Sequence, residues 1–146
     1  MTSRRGFSLL ELLVVLVVLS ITAAAAVPAF LSDSLATPEQ KTATALASVL
    51  SQARDAARES GAPATVTISP SDGRYWLITR DSTATGVLPL PGTVSLVGPN
   101  ADRFECRFNP TGTATPLTIT VRGARSVAVR VQGWSGDIAI GDGRAS

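Results

Sequence analysis

The sequence Arg4-Arg5-Gly6-Phe7-Ser8-Leu9-Leu10-Glu11 sets the organisation of the chain, because it opens an almost unbroken apolar run that reaches Val27. Only Glu11, Ser20 and Thr22 interrupt the run after its start. A carboxylate at the centre of a membrane-spanning helix costs about 2.5–3.5 kcal/mol. Glu11 lies near one end, where the cost is smaller, but any apolar residue would avoid it. Glu11 is therefore a candidate functional residue.

The start of the chain resembles the amino-terminal signal of type IV pilins and type II secretion pseudopilins. The resemblance rests on a basic leader ending in Gly6, on Phe7 with Glu11 at the fifth position counted from it, and on about twenty apolar residues closed by Pro28. It implies that a prepilin peptidase cuts between Gly6 and Phe7 and methylates the new amino group of Phe7. It also implies that the apolar helix is retained and that Glu11 serves filament assembly.

Simple physics accounts for these residue types. Arg4 and Arg5 hold the leader in the cytoplasm through the positive-inside bias. Gly6 leaves the backbone open to a protease next to the bulky Phe7. In a filament, Glu11 of one subunit can neutralise the Phe7 ammonium group of a neighbour, and a low dielectric strengthens that pairing.

Three other interpretations of the apolar run compete with this one. An ordinary secretory signal peptide has an apolar region of roughly 7–15 residues, which is shorter than this run, although Ala23 to Ala26 offer a cleavage site. A plain membrane anchor needs about 20 apolar residues to cross roughly 30 Å, but it does not explain Glu11. A buried core helix is hard to enclose in a chain of this length.

Composition indicates one domain on a membrane stalk. The chain has 146 residues, and about a hundred remain for a core once the apolar helix is set aside. Its 13 basic and 11 acidic side chains give a net charge of +2. Removal of Arg4 and Arg5 leaves 11 of each, so the mature chain is neutral and no nucleic acid partner is expected.

The rarity of histidine and cysteine restricts the chemistry. The sequence has no histidine and one cysteine, Cys106. Histidine-based acid–base catalysis, Ser–His and Cys–His nucleophile pairs and the usual zinc ligand sets are therefore excluded, as is an intramolecular disulfide. We therefore expect that the protein is not an enzyme and that it binds no cofactor and no metal. Cys106 alternates with Phe104 and Phe108, which predicts a buried, hydrophobic role.

A second helix is predicted after Pro28, at which the first helix should bend. Thr37-Pro38-Glu39-Gln40 is typical of a helix start, with Thr37 as N-cap and Gln40 reaching back in a capping box, and a break is expected near residues 33–36. Gly61 and Pro63 end the helix. Apolar positions fall on one face and should cover a sheet: Leu46, Val49, Leu50, Ala53 and Ala57. The Arg54, Asp55, Arg58 and Glu59 cluster is interpreted as surface pairing.

The apolar period changes to two after Gly61, which predicts strands. The first two, around Val66–Ile68 and Tyr75–Ile78, form a hairpin at the turn 70–73. Residues 81–99 form a looser segment with a candidate short strand at 93–97. Four further strands are predicted at 103–108, 117–122, 126–132 and 137–140.

The predicted fold class is α+β: a pilin-like fold in which a long amino-terminal helical region packs on an antiparallel β domain of six or seven strands, in one sheet or two. The predicted organisation is a leader at 1–6, a transmembrane and filament-core helix at 7–30, an amphipathic helix at 31–61 and a β domain at 62–146.

The second half of the chain resembles the GspH/FimT group of minor pseudopilins. The resemblance rests on the Phe108-Asn109-Pro110-Thr111-Gly112 turn, the strands that follow it and the closing Gly136-Asp137-Ile138. Some pilus-associated members bind DNA through a basic motif after that glycine. Asp137 stands there in this chain, which counts against DNA uptake.

This resemblance implies a minor pseudopilin of a type II secretion system, a structural subunit at or near the tip of the periplasmic pseudopilus that helps to export folded proteins. The alternative is a minor pilin of a type IV pilus or competence filament. The implied partners are other pilins or pseudopilins, the prepilin peptidase, the inner-membrane assembly platform and membrane lipid. The implied location is the inner membrane, with a single span and a periplasmic carboxy-terminal domain.

The remaining motifs are weak. Residues 133–143 are rich in glycine, but they lack the lysine of a phosphate cradle and the third carboxylate of a calcium loop, so we interpret them as a strand flanked by turns. Trp76 and Trp134 are candidates either for an exposed protein-binding surface or for packing at a sheet edge.

Overall fold

The computed structural model describes residues 9–20 and 36–143. The first range is helical throughout, and we call it α1. From Thr37 onward, the second range belongs to a separate compact unit. Among the described residues, no helix combines the length and the hydropathy needed to cross a membrane.

Helix α2 spans Pro38–Ser60 and has the predicted ends. The Thr37 hydroxyl accepts a hydrogen bond from the Gln40 N–H at 3.4 Å, which satisfies one of the free donors of the first turn. Gly61 ends the helix in the left-handed conformation at φ 62°, where glycine has no steric penalty. The predicted apolar face is buried, while Lys41, Asp55 and Arg58 are exposed.

Eight strands follow α2 in the described part of the chain. They are β1 (Ala64–Ile68), β2 (Arg74–Ile78), β3 (Thr83–Val87), β4 (Ser95–Val97), β5 (Phe104–Phe108), β6 (Leu117–Arg122), β7 (Ser126–Val131) and β8 (Ile138–Asp142). One four-stranded sheet has the order β3-β2-β1-β5, and the other has the order β4-β6-β7-β8. Neighbouring strands are antiparallel in both sheets.

Helix α2 packs against strands of both sheets, so the core forms between the helix and their inner faces. Alternation places Val66 and Ile68 of β1 in this core and turns the intervening Thr67 outward. The largest fully buried side chains are Phe104 and Phe108 of β5. The predicted α+β class is therefore confirmed. The described residues form two antiparallel sheets, where the sequence left one or two open, and they contain eight strands rather than the predicted six or seven.

The segment expected to be looser contains a strand. β3 pairs with β2 over five residues, from Ile78 with Thr83 to Arg74 with Val87. Four of its five residues are exposed, so the strand lacks the apolar alternation by which the other strands were predicted. The candidate strand at 93–97 is present as β4.

Candidate functional site

Of the residues predicted to serve processing and assembly, Glu11 alone lies within the described part of the chain. It is exposed on α1, and it is the one charged residue of the helical range 9–20. The predictions for Arg4, Arg5, Gly6, Phe7 and Pro28 concern positions outside the described residues, as does most of the predicted break at 33–36.

The side chains that surround Glu11 form an apolar surface. Leu9 is 88% exposed, and the large apolar residues from Leu10 to Leu19 are exposed by about half or more. Apolar surface of this extent requires lipid or other protein to cover it. A single carboxylate within such a surface can select a partner that brings a positive charge.

A second cluster, formed by Glu39, Gly123 and Arg125, lies where α2 begins. Glu39 is only 3% exposed, and its carboxylate accepts a hydrogen bond from the Arg125 N–H at 3.2 Å. The backbone N–H of Glu39 itself is the largest cause that lowers the pKa of this carboxyl, followed by the Arg125 N–H and the Thr37 hydroxyl. The contact fixes the first turn of α2 to the turn between β6 and β7.

Thr42 makes a parallel contact on the same turn of α2. It is fully buried, and its hydroxyl donates to the Pro38 carbonyl at 3.1 Å and contacts the Pro89 carbonyl. The segment that joins β3 to β4 is thereby attached to the helix. Glu39 and Thr42 thus attach the first turn of α2 to the β6–β7 turn and to the segment between β3 and β4.

Neither residue was predicted as a functional or structural contact. The sequence predicted a capping box through Gln40, but among the described residues the reciprocal hydrogen bond from Gln40 is not formed, and Glu39 bonds to a distant turn instead. The available signal was an acidic residue in the first helical turn, which is common at exposed helix starts as well. The burial of Glu39 depends on residues 86 positions away.

The cluster around Arg54 lies further along α2. Arg54 forms an ion pair with Asp137 at 3.3 Å and a longer one with Asp55 at 3.7 Å. Gly136 has φ 65°, and a Cβ there would lie 2.6 Å from the Gly112 carbonyl oxygen, so the two turns touch. Asp137 stands where the DNA-binding members of the GspH/FimT group have a basic residue. In this chain it is paired with Arg54 of α2.

The two tryptophans have different environments. Trp134 is 77% exposed, and its Nε1 donates to the Gln132 side-chain oxygen at 3.1 Å, so the indole presents mainly its ring to solvent. Trp76 is half-buried on the outer face of its sheet. Exposed tryptophan rings of this kind are frequent at protein interfaces.

Cys106 is fully buried, as predicted, and burial raises the pKa of its thiol to about 12. Its Sγ donates to the Thr115 carbonyl at 3.4 Å. Across residues 9–20 and 36–143, no group of three or more acidic, cysteine or histidine side chains could hold a metal ion.

Comparison with known proteins agrees with this architecture. The model of the family described as type II transport protein GspH matches residues 42–136, which is more than half of the chain. The prokaryotic N-terminal methylation motif matches residues 1–27. The comparison with curated proteins gave no match.

Among solved structures, the fold is similar to that of the minor pseudopilin EpsH from the type 2 secretion system of Vibrio cholerae. The two chains share 16% identity with a TM-score of 0.52, and the match covers 68% of this chain and 93% of EpsH. Identity at this level supports the fold. The family match, the methylation motif and the helix on two antiparallel sheets together show that the chain belongs to the GspH family of type II transport proteins and is pilin-like.

Proposed function

We propose that this protein is a minor pseudopilin of a type II secretion system, a structural subunit of the periplasmic pseudopilus that helps to move folded proteins outward. The observation that carries the proposal is the combination, in one chain, of the GspH family match with the methylation motif. The exposed apolar surface of α1, with Glu11 as its one charge, supports it.

The proposed organisation follows the sequence pattern. Residues 1–6 are a leader removed between Gly6 and Phe7, residues 7–30 are the single inner-membrane span, residues 31–61 hold the amphipathic helix, and residues 62–146 form the periplasmic β domain. Arg4 and Arg5 keep the leader cytoplasmic. Pro28 bends the helix where it leaves the apolar run.

Burial of the exposed apolar surface of α1 drives assembly. Lipid covers the apolar surface before assembly, and the helices of neighbouring pseudopilins cover it in the filament. The N-methylated amine of Phe7 on one subunit then faces Glu11 of another, and the pair sets the axial register because any sliding separates the charges in a low dielectric. Prepilin peptidase and the inner-membrane platform act before this step.

The role is structural rather than enzymatic. The sequence has no histidine, and its one thiol is buried, with a pKa raised far above neutrality. A minor pilin of a type IV pilus is the alternative. The position of Asp137, paired with Arg54, favours the secretion machinery over a DNA-binding pilus tip.

The test is the intact mass and amino-terminal sequence of the protein recovered from its own membranes. A chain that begins at N-methylated Phe7 is the expected result. A chain that begins after the Ala23 to Ala26 run would mean an ordinary secreted domain, and the filament role would be lost together with the helix.

A further inference from the structure

Strand β3 is an open edge of its sheet. It pairs with β2 on one side, and no other described strand pairs with it on the other. The hydrogen bonds at the two ends of the β2–β3 ladder fix which groups face outward: Thr79 N–H donates to the Ser82 carbonyl, and Leu88 N–H donates to the Gly73 carbonyl. Because bonded pairs alternate in an antiparallel ladder, Ala84 and Gly86 point their backbone groups toward β2.

The residues that alternate with Ala84 and Gly86 therefore present their backbone N–H and C=O groups to the open side. These are Thr83, Thr85 and Val87, and within residues 36–143 their N–H and C=O groups have no backbone partner. The edge thus offers three donors and three acceptors in the spacing of a β-strand. Such an edge is a template for another strand.

The other three sheet edges are protected. The edge of β5 is covered by residues 113–115, through the Phe108–Ala114 bridge and the bond from Thr115 N–H to the Arg107 carbonyl at 2.8 Å. β4 is only three residues long. β8 ends at the charged Asp142, and α2 packs alongside it. Short strands, charges and covering segments are the usual means of preventing edge pairing.

β3 has none of these protections. Its ladder with β2 is continuous over five pairs, so it contains no bulge, and its sequence Thr-Ala-Thr-Gly-Val has no charge and no proline. The whole stretch from Ser82 to Ala101 lacks a charged residue. Arg74 lies opposite Val87, but it is paired with Asp72 at 3.3 Å. The edge therefore favours an uncharged partner strand, because a charge placed against it would be partly desolvated without a free counter-charge.

The side chains next to this edge complete a docking surface. Val87 is 65% exposed and Ile78 is 47% exposed, with the half-buried Trp76 between them on the outer face. On the inner face Ala84 and Gly86 are small, and the Tyr75 ring lies directly over Gly86. A cleft of about 330 Å³ opens at this edge, and its lining includes Arg74, which lies opposite Val87, as well as Trp76 and Gly86.

The size of the edge indicates what kind of partner it binds. A seam five residues long spans about 17 Å and buries well below the roughly 1,000 Å² of a stable interface between free proteins. Two free copies would therefore not stay paired through it. A partner strand that is tethered nearby needs less area, because tethering raises its effective concentration to about the millimolar range.

From these observations we propose that β3 accepts an uncharged extended strand from a different, neighbouring subunit of the filament, which continues the sheet across the subunit boundary. This inference rests on the proposed function, since the filament supplies the tether. Backbone bonds to Thr83, Thr85 and Val87 hold the added strand, and its apolar side chains pack beside Val87 and Trp76.

The test uses the full chain in its own cells, with a photoreactive benzophenone amino acid at Val87 and, separately, at Leu13 of α1. The label at Val87 should give an adduct with another pilin-like subunit. Mass spectrometry of the crosslinked peptide identifies that subunit, and the peptide should come from an extended, uncharged segment. The same label at Thr118, on the outer face of the other sheet, is the matched control and should give no such adduct.

Thr85→Pro is the decisive second change. It removes an outward N–H and no bond of the β2–β3 ladder, so the fold should persist, as checked by the melting temperature of the purified chain in detergent. The Val87 adduct should fall about tenfold. Thr85→Val keeps the N–H and should leave the adduct intact, while Thr83→Lys, which adds an edge charge without touching the backbone, should reduce it.

Several results would overturn strand addition at β3. They are an undiminished adduct in Thr85→Pro and Thr83→Lys, an adduct only with a second copy of this chain, and the absence of a Val87 adduct when Leu13 still crosslinks. Loss of crosslinking at both Leu13 and Val87 would instead contradict the filament role itself.

Discussion

The carboxylate of Glu39 accepts a hydrogen bond from the backbone N–H of Arg125 at 3.2 Å, and this contact joins the start of α2 to the turn between β6 and β7. The two residues are 86 positions apart, so the contact connects the first element of the domain with one of its last. Glu39 is buried there, and no basic side chain within residues 9–20 and 36–143 forms an ion pair with it. Backbone N–H groups satisfy its charge instead.

Glu39→Gln should remove part of the acid sensitivity of the domain. The pKa of Glu39 is lowered in the folded state, by its own backbone N–H first and the Arg125 N–H second. Its charge therefore stabilises the fold above the unfolded pKa, and that stabilisation is lost as pH falls through the folded pKa. The free energy of unfolding should be lower for Glu39→Gln than for wild type at pH 7, and the difference should shrink on acidification.

Asp72→Asn provides the comparison for this pH series. The pKa of Asp72 is also lowered, chiefly by the Ser69 hydroxyl and then by the Arg74 N–H, but Asp72 lies in an exposed turn. We expect a smaller effect of the same sign. Urea unfolding measures the free energy of unfolding of wild type and Glu39→Gln across the pH series. A difference between them that stays constant with pH would show that the Glu39 charge does not contribute to stability.

Gly123→Ala should disturb the same contact from the other side. A Cβ at Gly123 would lie 2.3 Å from a Glu39 carboxylate oxygen, so the side chain must leave its position. We expect a loss of about 1 kcal/mol of stability, at the low end for overpacking because a side chain rather than backbone has to move. Thermal unfolding measures it.

Gly92→Ala is the matched control, because nothing lies within 4 Å of a Cβ at that position. Gly123→Ala should also be non-additive with Glu39→Ala, since both remove one contact. Full additivity in the double mutant would mean that Gly123 acts on stability independently of Glu39.

The sequence was sufficient to predict the elements whose burial follows from local pattern. The apolar face from Leu46 to Ala57 predicted α2, and alternation around Val66, Cys106 and Ile119 predicted β1, β5 and β6. Such elements can be recognised in the sequence because one face of each is buried and the other is exposed, which produces a regular apolar period.

The features that were missed have no local pattern. β3 is defined by its pairing with β2, and its exposed Thr-Ala-Thr-Gly-Val sequence differs little from that of a loop. Glu39 is buried by a hairpin that the chain reaches only much later. Such features depend on tertiary contacts, which period and propensity do not encode.

The Cys106 thiol should be unreactive in the folded protein. It is fully buried, and burial raises its pKa to about 12, so at pH 8 it is both inaccessible and protonated. A chromogenic disulfide reagent should label the folded chain far more slowly than the chain in denaturant. Val87→Cys, at an exposed edge position, should react at once and serves as the positive control; equal rates at both positions would contradict the burial of Cys106.

The Arg54–Asp137 ion pair should contribute little to stability. The Asp137 side chain is 65% exposed, and exposed pairs are typically worth about 0–1 kcal/mol. Asp137→Asn should therefore lower the free energy of unfolding by less than about 1 kcal/mol, and less still at high salt. Leu50→Ala, a change in the core, should cost about 2–5 kcal/mol in the same measurement.

Glu11→Leu separates membrane insertion from filament assembly. The change leaves Gly6 and Phe7 intact, so the leader should still be removed, and it makes the helix more apolar, so insertion should not suffer. Assembly should fall sharply, because the Phe7 amine then lacks its counter-charge within the packed helices. Leu13→Val, which keeps an apolar side chain on the same helix, is the control and should assemble normally. Intact mass measures processing, and crosslinking through α1 in cells measures assembly. If processed Glu11→Leu enters the filament as well as wild type, the register comes from apolar packing alone, and the carboxylate among the leucines has another role.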